Sequence, residues 1–453
     1  MNLQVLAAID EAQRLETAGE WLEAARIYHV ARGHAPDDHR LAVHQGNALW
    51  LADLPAAAWC CFRQALAISP SCSRTLRGAA QVLRDLNCFE EADRLHARSV
   101  LEEDPDPALA KWAHSQVLLG LECYEAAFAV AEGRLEQDGA PSALTAALAE
   151  HGLELQSEQG IGDTLQFLRW LPLLIRRRHD AGRQEPITLY VPPALVQLIR
   201  EGLAWLDTPP QVLPKSEEWR KSGSATRLGS LMSLPFLLGG APLAETVPYL
   251  RSPLWAGTAN TLLEGVSAGE CPLVGLVWEA GRKTDHPFTA REYHKRSLPA
   301  AVLDRLSRGL VEAGAMLVPL QWGGEAHLLE TLEIPHRQCQ LSLGDFTVTA
   351  RVLAMLDLVI SVDTAMAHLI GAMGRPGWVL LPASADPRWL RDRADTPWYP
   401  SLRLFRQHHA GDWHSAVNDL LKAFRSSFAT RESLGNEPSS LEGPGPELGR
   451  ATG

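Results

Sequence analysis

A pattern of small, aromatic and proline residues recurs at a spacing of 34 residues near the start of the chain. Its first two copies are Ala24, Tyr28, Ala31 and Pro36, then Ala58, Phe62, Ala65 and Pro70. A unit of this length holds two antiparallel helices: a small residue lets them approach, an aromatic side chain fills the adjacent space, and proline stops the second helix. Because one such unit cannot bury its apolar face alone, the pattern predicts a stack of helical hairpins.

Two looser copies extend this pattern. The third copy is Ala92, His96, Ser99 and Pro105, with the proline one place late. The fourth copy is Tyr124, Ala126 and Pro141, with a slip of one residue. The pattern resembles the tetratricopeptide repeat family over about residues 3 to 141. The resemblance implies an α-helical solenoid at 1–150 that binds a partner on its concave face and does no chemistry. Generic helical hairpins are the alternative, and residues 142–153 are expected to form a capping helix.

From Glu154 onward, short β-rich runs alternate with amphipathic helical stretches, which predicts βαβ units and parallel sheets. Interruptions rich in proline and glycine lie between Gly239 and Pro272. We therefore expect two Rossmann-like lobes, at 151–265 and 266–428, and a disordered tail at 429–453, which is rich in Gly, Pro, Ser and Glu. The candidate strands are Ile187–Val191, Leu273–Val277, Met316–Leu320, Leu356–Val362, Trp378–Leu381 and Leu402–Phe405.

A glycine loop precedes the first apolar helix of this region. Gly160 and Gly162 allow a tight turn and a close backbone approach to a ligand, and Asp163 follows at the start of the helix. The aspartate has three possible roles: to cap the helix, to bind a ribose hydroxyl, or to act as a general base. The third glycine of the dinucleotide fingerprint is absent, so the loop alone does not distinguish these roles.

A second motif follows the strand that is predicted to end near Val362. Asp363 and Thr364 can cap a helix that begins with Ala365, and His368 falls about one turn into it. A helix N-terminus at the carboxyl end of a parallel strand favours phosphate, because its N–H groups and its dipole face the ligand. The alternatives are that the aspartate only caps the helix and that the histidine is a packed core residue.

Two further segments carry candidate residues. Lys295 and Arg296 precede a helix near Pro299 and can supply positive charge to a diphosphate, although a solvated basic face is the alternative. The aromatic, Arg-rich and Pro-rich stretch from Asp386 to Pro400 predicts an ordered loop.

Composition excludes several classes of function. The net charge of −12 argues against nucleic-acid binding, which needs a basic surface. The seven cysteines are scattered without the paired spacing of metal ligands, as in a reducing compartment. The acidic and polar start of the chain does not resemble a secretory signal, and no apolar run approaches the roughly 20 residues of a membrane span. We therefore expect a cytoplasmic protein.

Several motifs occur in one order along the C-terminal part. They are EQGIGDTLQFLRWLPLL, VGLVW, KRSLP, LDLVISVDTAMAHLIGAMGRP, WVLLP, DPRWLRDR, PWYP and LFRQ. This order resembles the glycosyltransferase family 9 (heptosyltransferase-like) domain, in its variant fused to tetratricopeptide repeats, over about residues 154–425. The resemblance implies the GT-B fold, in which two Rossmann-like lobes enclose the active site. The segment from Glu279 to His294 departs from the expected Asn/Arg-rich stretch, which leaves the sugar undetermined.

The resemblance also implies a role for each candidate residue. Asp163 would be the catalytic base that deprotonates the acceptor hydroxyl, with inversion at the anomeric carbon. A nucleotide-diphosphate sugar would be the co-substrate, with no further cofactor and no metal, because the one D-x-D triplet, at residues 104–106, falls in a repeat turn. The donor-binding residues would be Gly160, Gly162, Lys295, Arg296, Asp363, Thr364, Ala365 and His368.

Two other functions compete with this interpretation. A non-catalytic repeat scaffold with a degenerate GT-B domain would have no reason to keep both Asp163 and the Asp363-Thr364 pair. A methyltransferase would need a richer glycine loop and an acidic residue after the second strand. The expected partners are a nucleotide-sugar donor, a protein, glycan or lipid-linked acceptor, and a protein bound by the repeat arm.

Overall fold

Eight α-helices form four antiparallel pairs within residues 3–102 and 104–135, which we call the arm. The computed structural model also describes residues 152–215, 228–255, 271–282, 284–323, 326–339 and 345–428. The predicted repeat arm is thus confirmed as a stack of helical hairpins. In chain order the helices are α1 Leu3–Thr17, α2 Trp21–His34, α3 His39–Leu51, α4 Pro55–Ile68, α5 Ser73–Asp85, α6 Phe89–Leu101, α7 Pro107–Gly120 and α8 Tyr124–Ala131.

Close packing in the arm depends on small residues beside a buried aromatic ring, as the repeat pattern predicts. Phe62 is fully buried. A Cβ added to Gly46 would lie 2.9 Å from the Phe62 ring, and one added to Gly78 would lie 2.6 Å from it. Both distances are shorter than carbon atoms tolerate, so glycine at these positions lets helices α3, α4 and α5 meet around one ring.

The arm is held to the rest of the chain by the turns inside its helical pairs. The turn residues Asp53, Asn87 and Glu122 all have a left-handed backbone, with φ of 59°. Each of the three contacts a different arginine of the second lobe. We call these three turn residues the docking edge. The contacts are Asp53 Oδ1 to Arg291 Nη2 at 2.7 Å, the Asn87 carbonyl to Arg391 Nη1 at 2.7 Å, and Glu122 Oε2 to Arg393 Nη1 at 3.7 Å.

Two parallel sheets follow the arm, and each has helices in its connections. Within the described residues, the strand order is β3-β2-β1-β4 in the first lobe and β6-β5-β7-β8-β9 in the second lobe. Every pairing is parallel, as strand–helix alternation predicts. The strands are β1 Glu154–Gln156, β2 Thr188–Val191, β3 Gln211–Pro214, β4 Leu228–Ser230, β5 Leu273–Val277, β6 Met316–Pro319, β7 Leu358–Val362, β8 Gly377–Leu381 and β9 Leu402–Arg406.

The predicted fold class, a helical repeat arm followed by two Rossmann-like lobes, is confirmed. The helices of the lobes are α9 Ile161–Phe167, α10 Leu171–Asp180, α11 Val196–Gly202, α12 Leu234–Leu238, α13 Pro287–Arg296, α14 Ala300–Glu312, α15 Leu328–Thr331, α16 Phe346–Leu353, α17 Ala365–Ala372 and α18 Trp413–Ser427. None of the described helices is long and apolar enough to cross a bilayer. The predicted capping helix at 142–153 lies almost wholly outside the described residues, as do the lobe boundary at 265 and the tail at 429–453.

The packing around Phe62 yields a stability prediction. We expect Gly78→Ala to cost about 1–3 kcal/mol, because its Cβ must displace a buried ring. Gly33→Ala is the matched control, since a Cβ at Gly33 in α2 meets no atom within 4 Å. Urea denaturation followed by far-ultraviolet circular dichroism should give a lower midpoint for the Gly78 variant alone; equal midpoints would contradict the packing argument.

Candidate active site

The strand order reverses once in each sheet, and ligands of such folds bind where this reversal occurs. In the first lobe the reversal lies between β1 and β4, and in the second lobe it lies between β5 and β7. The glycine loop connects β1 to α9, and Asp363 and Thr364 connect β7 to α17. The glycine loop and the Asp363-Thr364 pair therefore both lie at the carboxyl end of a strand, next to the point where the strand order of the sheet reverses.

The glycine loop and Asp163 form a hydrogen-bonded start to α9. The Gly160 N–H donates to Asp163 Oδ2 at 3.1 Å, and the Thr164 hydroxyl donates to the Gly160 carbonyl at 3.0 Å. The other carboxylate oxygen, Asp163 Oδ1, lies 3.0 Å from Arg388 Nη1. The side chain of Asp163 is 18% exposed. One oxygen thus caps the helix, while the other faces a cation from the second lobe.

The two lobes touch directly at Gly162. A Cβ added there would lie 2.8 Å from His368 Cδ2 and 3.5 Å from the Ala365 Cα. Only glycine permits this approach without moving the imidazole, so the second glycine of the loop serves contact between lobes. As a result, α9 of the first lobe packs on α17 of the second, and their two motifs become one site.

Thr364 and Asp363 form the start of α17. The Thr364 hydroxyl accepts a hydrogen bond from the Met366 N–H at 3.1 Å, which caps the helix. Asp363 is 4% exposed. Burial raises the pKa of its carboxyl above the ordinary value, and the charge of Arg296 opposes that rise. Arg296 Nη1 donates to the Asp363 carbonyl at 3.3 Å and lies 3.9 Å from its carboxylate.

His368 is packed inside the site. Its Nδ1 lies 2.9 Å from the Tyr399 hydroxyl, and its ring stacks on Trp389 with centroids 5.4 Å apart. Burial, followed by the charge of Arg388, holds the pKa of His368 well below its ordinary value. The imidazole is therefore neutral at neutral pH. Its contacts hold α17 against α9 and against the loop from Asp386 to Pro400.

Lys295 and Arg296 are neighbours in sequence, but their side chains contact different parts of the structure. The Lys295 ammonium donates to Glu292 at 2.7 Å, and its side chain is 6% exposed. The Lys295 charge also acts on Asp85 in the arm. Burial raises the pKa of the Asp85 carboxyl, but the charges of Arg84 and then Lys295 outweigh that effect and hold the pKa below its ordinary value. Arg296, which is 31% exposed, reaches the start of α17 instead. The structure brings Arg296 and not Lys295 to the paired motifs.

Arg388 is the residue of this site that sequence reasoning did not single out. Its guanidinium contacts Asp386 at 2.9 Å, Gln166 at 2.7 Å and the Asp163 carboxylate, so it joins both lobes. Burial raises the pKa of Asp386, but the charge of Arg388 outweighs it and lowers that pKa to about 2. The same carboxylates raise the pKa of Arg388 against the effect of its burial. The signal available in the sequence was the Arg-rich aromatic stretch from Asp386 to Pro400, which contains Arg388.

Known proteins that resemble this chain are distant from it in sequence. No family model matches the chain. Protein FlbA of Caulobacter vibrioides is 24% identical over 438 residues, which are 90% of this chain and 70% of that protein. No group of three or more His, Cys, Asp or Glu side chains placed to hold a metal ion occurs among the described residues.

Solved structures resemble the two parts separately. ADP-heptose LPS heptosyltransferase II of E. coli is 13% identical, with a TM-score of 0.41 over 62% of this chain and 100% of that one. A family 9 glycosyl transferase of Veillonella parvula is 11% identical, with a TM-score of 0.42 over 62% and 98%. The tetratricopeptide repeat protein YrrB is 16% identical, with a TM-score of 0.28 over 38% and 84%. The fold of the chain rests on its own helix pairs and parallel sheets.

The charges around Arg388 lead to a prediction about stability and pH. We expect Arg388→Gln to cost about 2 kcal/mol at pH 7, because Asp386 loses its counter-charge in a partly buried place. A carboxyl with a depressed pKa stabilises the fold above its unfolded pKa and ceases to do so as the pH falls through the folded value. The difference from the native chain should therefore shrink between about pH 4 and pH 2.

Arg26→Gln is the control for this measurement. Its pair with Glu23 at 2.9 Å is exposed on both sides, so its loss should cost at most about 1 kcal/mol. Denaturant titrations at several pH values test both variants. A pH-independent difference for Arg388→Gln would show that Asp386 does not depend on this guanidinium.

Proposed function

We propose that the chain is a glycosyltransferase that moves a sugar from a nucleotide-diphosphate donor to an acceptor hydroxyl. The observation that carries this proposal is the meeting of two strand-end motifs at one place, Asp163 from the first lobe and the start of α17 from the second. The Gly162 contact joins them, and Arg388 spans both. A carboxylate and an anion-binding helix start, side by side, are what transfer from a diphosphate requires.

The donor diphosphate is proposed to bind at the start of α17. The N–H groups of a helix N-terminus and its dipole favour phosphate, and Arg296 adds a full charge beside them. These groups would stabilise the negative charge that grows on the departing nucleoside diphosphate, so the proposed mechanism needs no metal. His368 lies behind this surface and supports α17, while Lys295 lies on the side of α13 that packs towards the arm.

Asp163 is proposed to act as the general base. Its carboxylate takes the proton of the acceptor hydroxyl while the oxygen forms a bond to the anomeric carbon. The bond from that carbon to the diphosphate oxygen breaks, its electron pair leaves with the nucleoside diphosphate, and the configuration inverts. Asp163 is suited to this step because its carboxylate is fixed by the Gly160 N–H and Arg388, yet stays partly exposed.

The remaining parts of the proposal concern partners. The acceptor is a protein, a glycan or a lipid-linked molecule, and the arm binds the acceptor or a partner protein. The reaction is proposed to take place in the cytoplasm, where nucleotide sugars are available. A non-catalytic scaffold would have the same arm but would not bind a donor, so donor binding separates the two.

Two variants test the base and the donor site separately. Isothermal titration with a panel of nucleoside diphosphates and their sugars should identify one nucleotide that binds. Asp163→Asn should lower transfer by about 100-fold or more, since a general base contributes that much, and should leave the Kd of the donor nearly unchanged. Arg296→Gln should weaken donor binding by about 10-fold or more, because a charged hydrogen bond to phosphate is lost.

Arg305→Gln is the matched control, because Arg305 hydrogen-bonds to Asn418 on the exposed side of α14. It should change neither the Kd nor the rate. No binding across the whole panel by a folded chain would support the scaffold instead. Unchanged turnover in Asp163→Asn would remove that residue from the mechanism while leaving the donor site in place.

A further inference from the structure

We infer that the last helical pair of the arm forms one wall of the acceptor subsite, and that this subsite takes an uncharged hydroxyalkyl group. The inference rests on the proposed function, because it assigns the pocket beside the proposed base. It goes beyond that function by making α7 and α8 part of the catalytic pocket and by naming the chemistry of the group that enters.

A cavity lies where the arm and both lobes meet. Trp112 and Gln116 of α7 and Phe128 of α8 line it on the arm side, and Asp163 and Arg388 line it on the opposite side. The arm and Asp163 thus share one pocket, although they are far apart in the chain. An acceptor that approaches Asp163 through this cavity touches arm side chains as it does so.

The size of the cavity limits what can enter. Its volume is about 30 Å³. Since one water-sized group needs at least about 10–15 Å³, it holds at most about two or three such groups. A hydroxymethyl or hydroxyethyl end fits this space, whereas a whole pyranose ring does not. The reacting hydroxyl must therefore project on a short stem from whatever molecule carries it.

The charges of the wall exclude an anionic group. Arg134 at the arm end of the cavity is paired with Glu132 at 2.7 Å and with Glu158 at 2.8 Å. The other cation of the wall, Arg388, is paired with Asp386 and Asp163. Each guanidinium thus faces two carboxylates, and no net positive charge remains for a phosphate or carboxylate of the acceptor.

Aromatic and aliphatic side chains make most of the rest of the wall apolar, beside the uncharged Ser115, Gln116 and Gln166. Phe128 packs edge-on against Phe167 of the first lobe, with centroids 6.1 Å apart, and Trp398 of the second lobe completes the lining. An apolar wall beside Asp163 excludes bulk water and strengthens its hydrogen bond to an entering hydroxyl. Trp112 and Gln116 are only half-buried, so we assign them to the rim, where they meet the stem of the acceptor.

Small alcohols test this inference, with the nucleotide sugar that binds in the titration panel as donor. Ethylene glycol should be glycosylated, and its proton should pass to Asp163 as in the proposed reaction. Glycolate has nearly the same size but carries a charge, and we expect at least a 10-fold lower rate with it. Mass spectrometry of the glycosides and assay of nucleoside diphosphate release give both rates.

Arm variants test the wall itself. Gln116→Phe should block the mouth of the cavity and lower glycosylation of ethylene glycol by at least 10-fold, with an unchanged donor Kd. Trp112→Ala should widen the rim and raise the rate with benzyl alcohol relative to ethylene glycol. Leu109→Phe is the control, because Leu109 is exposed on the same helix, and neither rate should change.

The outcomes separate this inference from the proposed function. Donor binding with equal rates in the native chain and Gln116→Phe would overturn the arm wall and leave the glycosyltransferase intact. Equal rates with glycolate and ethylene glycol would overturn the charge argument. Absence of donor binding would overturn both proposals. N-acetylserinamide and methyl glucoside then identify the source of the group, a hydroxyl side chain or the hydroxymethyl of a sugar, and a product from either supports the inference.

Discussion

The contact between the docking edge and three arginines fixes where every other part of the arm lies. Asp53, Asn87 and Glu122 occupy equivalent turns of successive helical pairs, so they follow one another along a single edge of the stack. Helices stacked in this way keep a fixed rotation from pair to pair. Holding three turns against the second lobe therefore also determines where α7 and α8 reach, and they reach the pocket of the proposed base.

The three contacts of the docking edge differ in strength. Arg291 is 2% exposed and binds Asp53, the buried Asp85 and Glu292, so loss of this guanidinium would leave three carboxylates without its charge. The pair of Arg393 with Glu122 is exposed and contributes little. Arg291 is therefore the anchor. It lies on α13, the same helix that ends with Arg296 beside the start of α17, so arm docking and the proposed donor contact share one rigid element.

Features that depend on local periodicity could be predicted from the sequence. Features that depend on contacts between residues far apart in the chain could not. The repeats, the long strands and the two strand-end motifs follow from spacing alone. Strands β1 and β4 have three residues each, too few for a period to show. Arg388 meets Asp163 across 225 positions, and Lys295 and Arg296 separate because a helix end turns neighbouring side chains apart. Only folding reveals such contacts.

The arm is not an appendage that could be removed without changing the lobes. Phe128 belongs to the same buried apolar cluster as the core of the first lobe, and its ring covers both Phe167 and Trp170. Taking the arm away would expose those two rings to water, at a cost that scales with the apolar area uncovered. It would also open the space beside Asp163 to solvent. Apolar burial and the exclusion of water from the proposed base are thus consequences of one interface, and a change that weakens this interface weakens both.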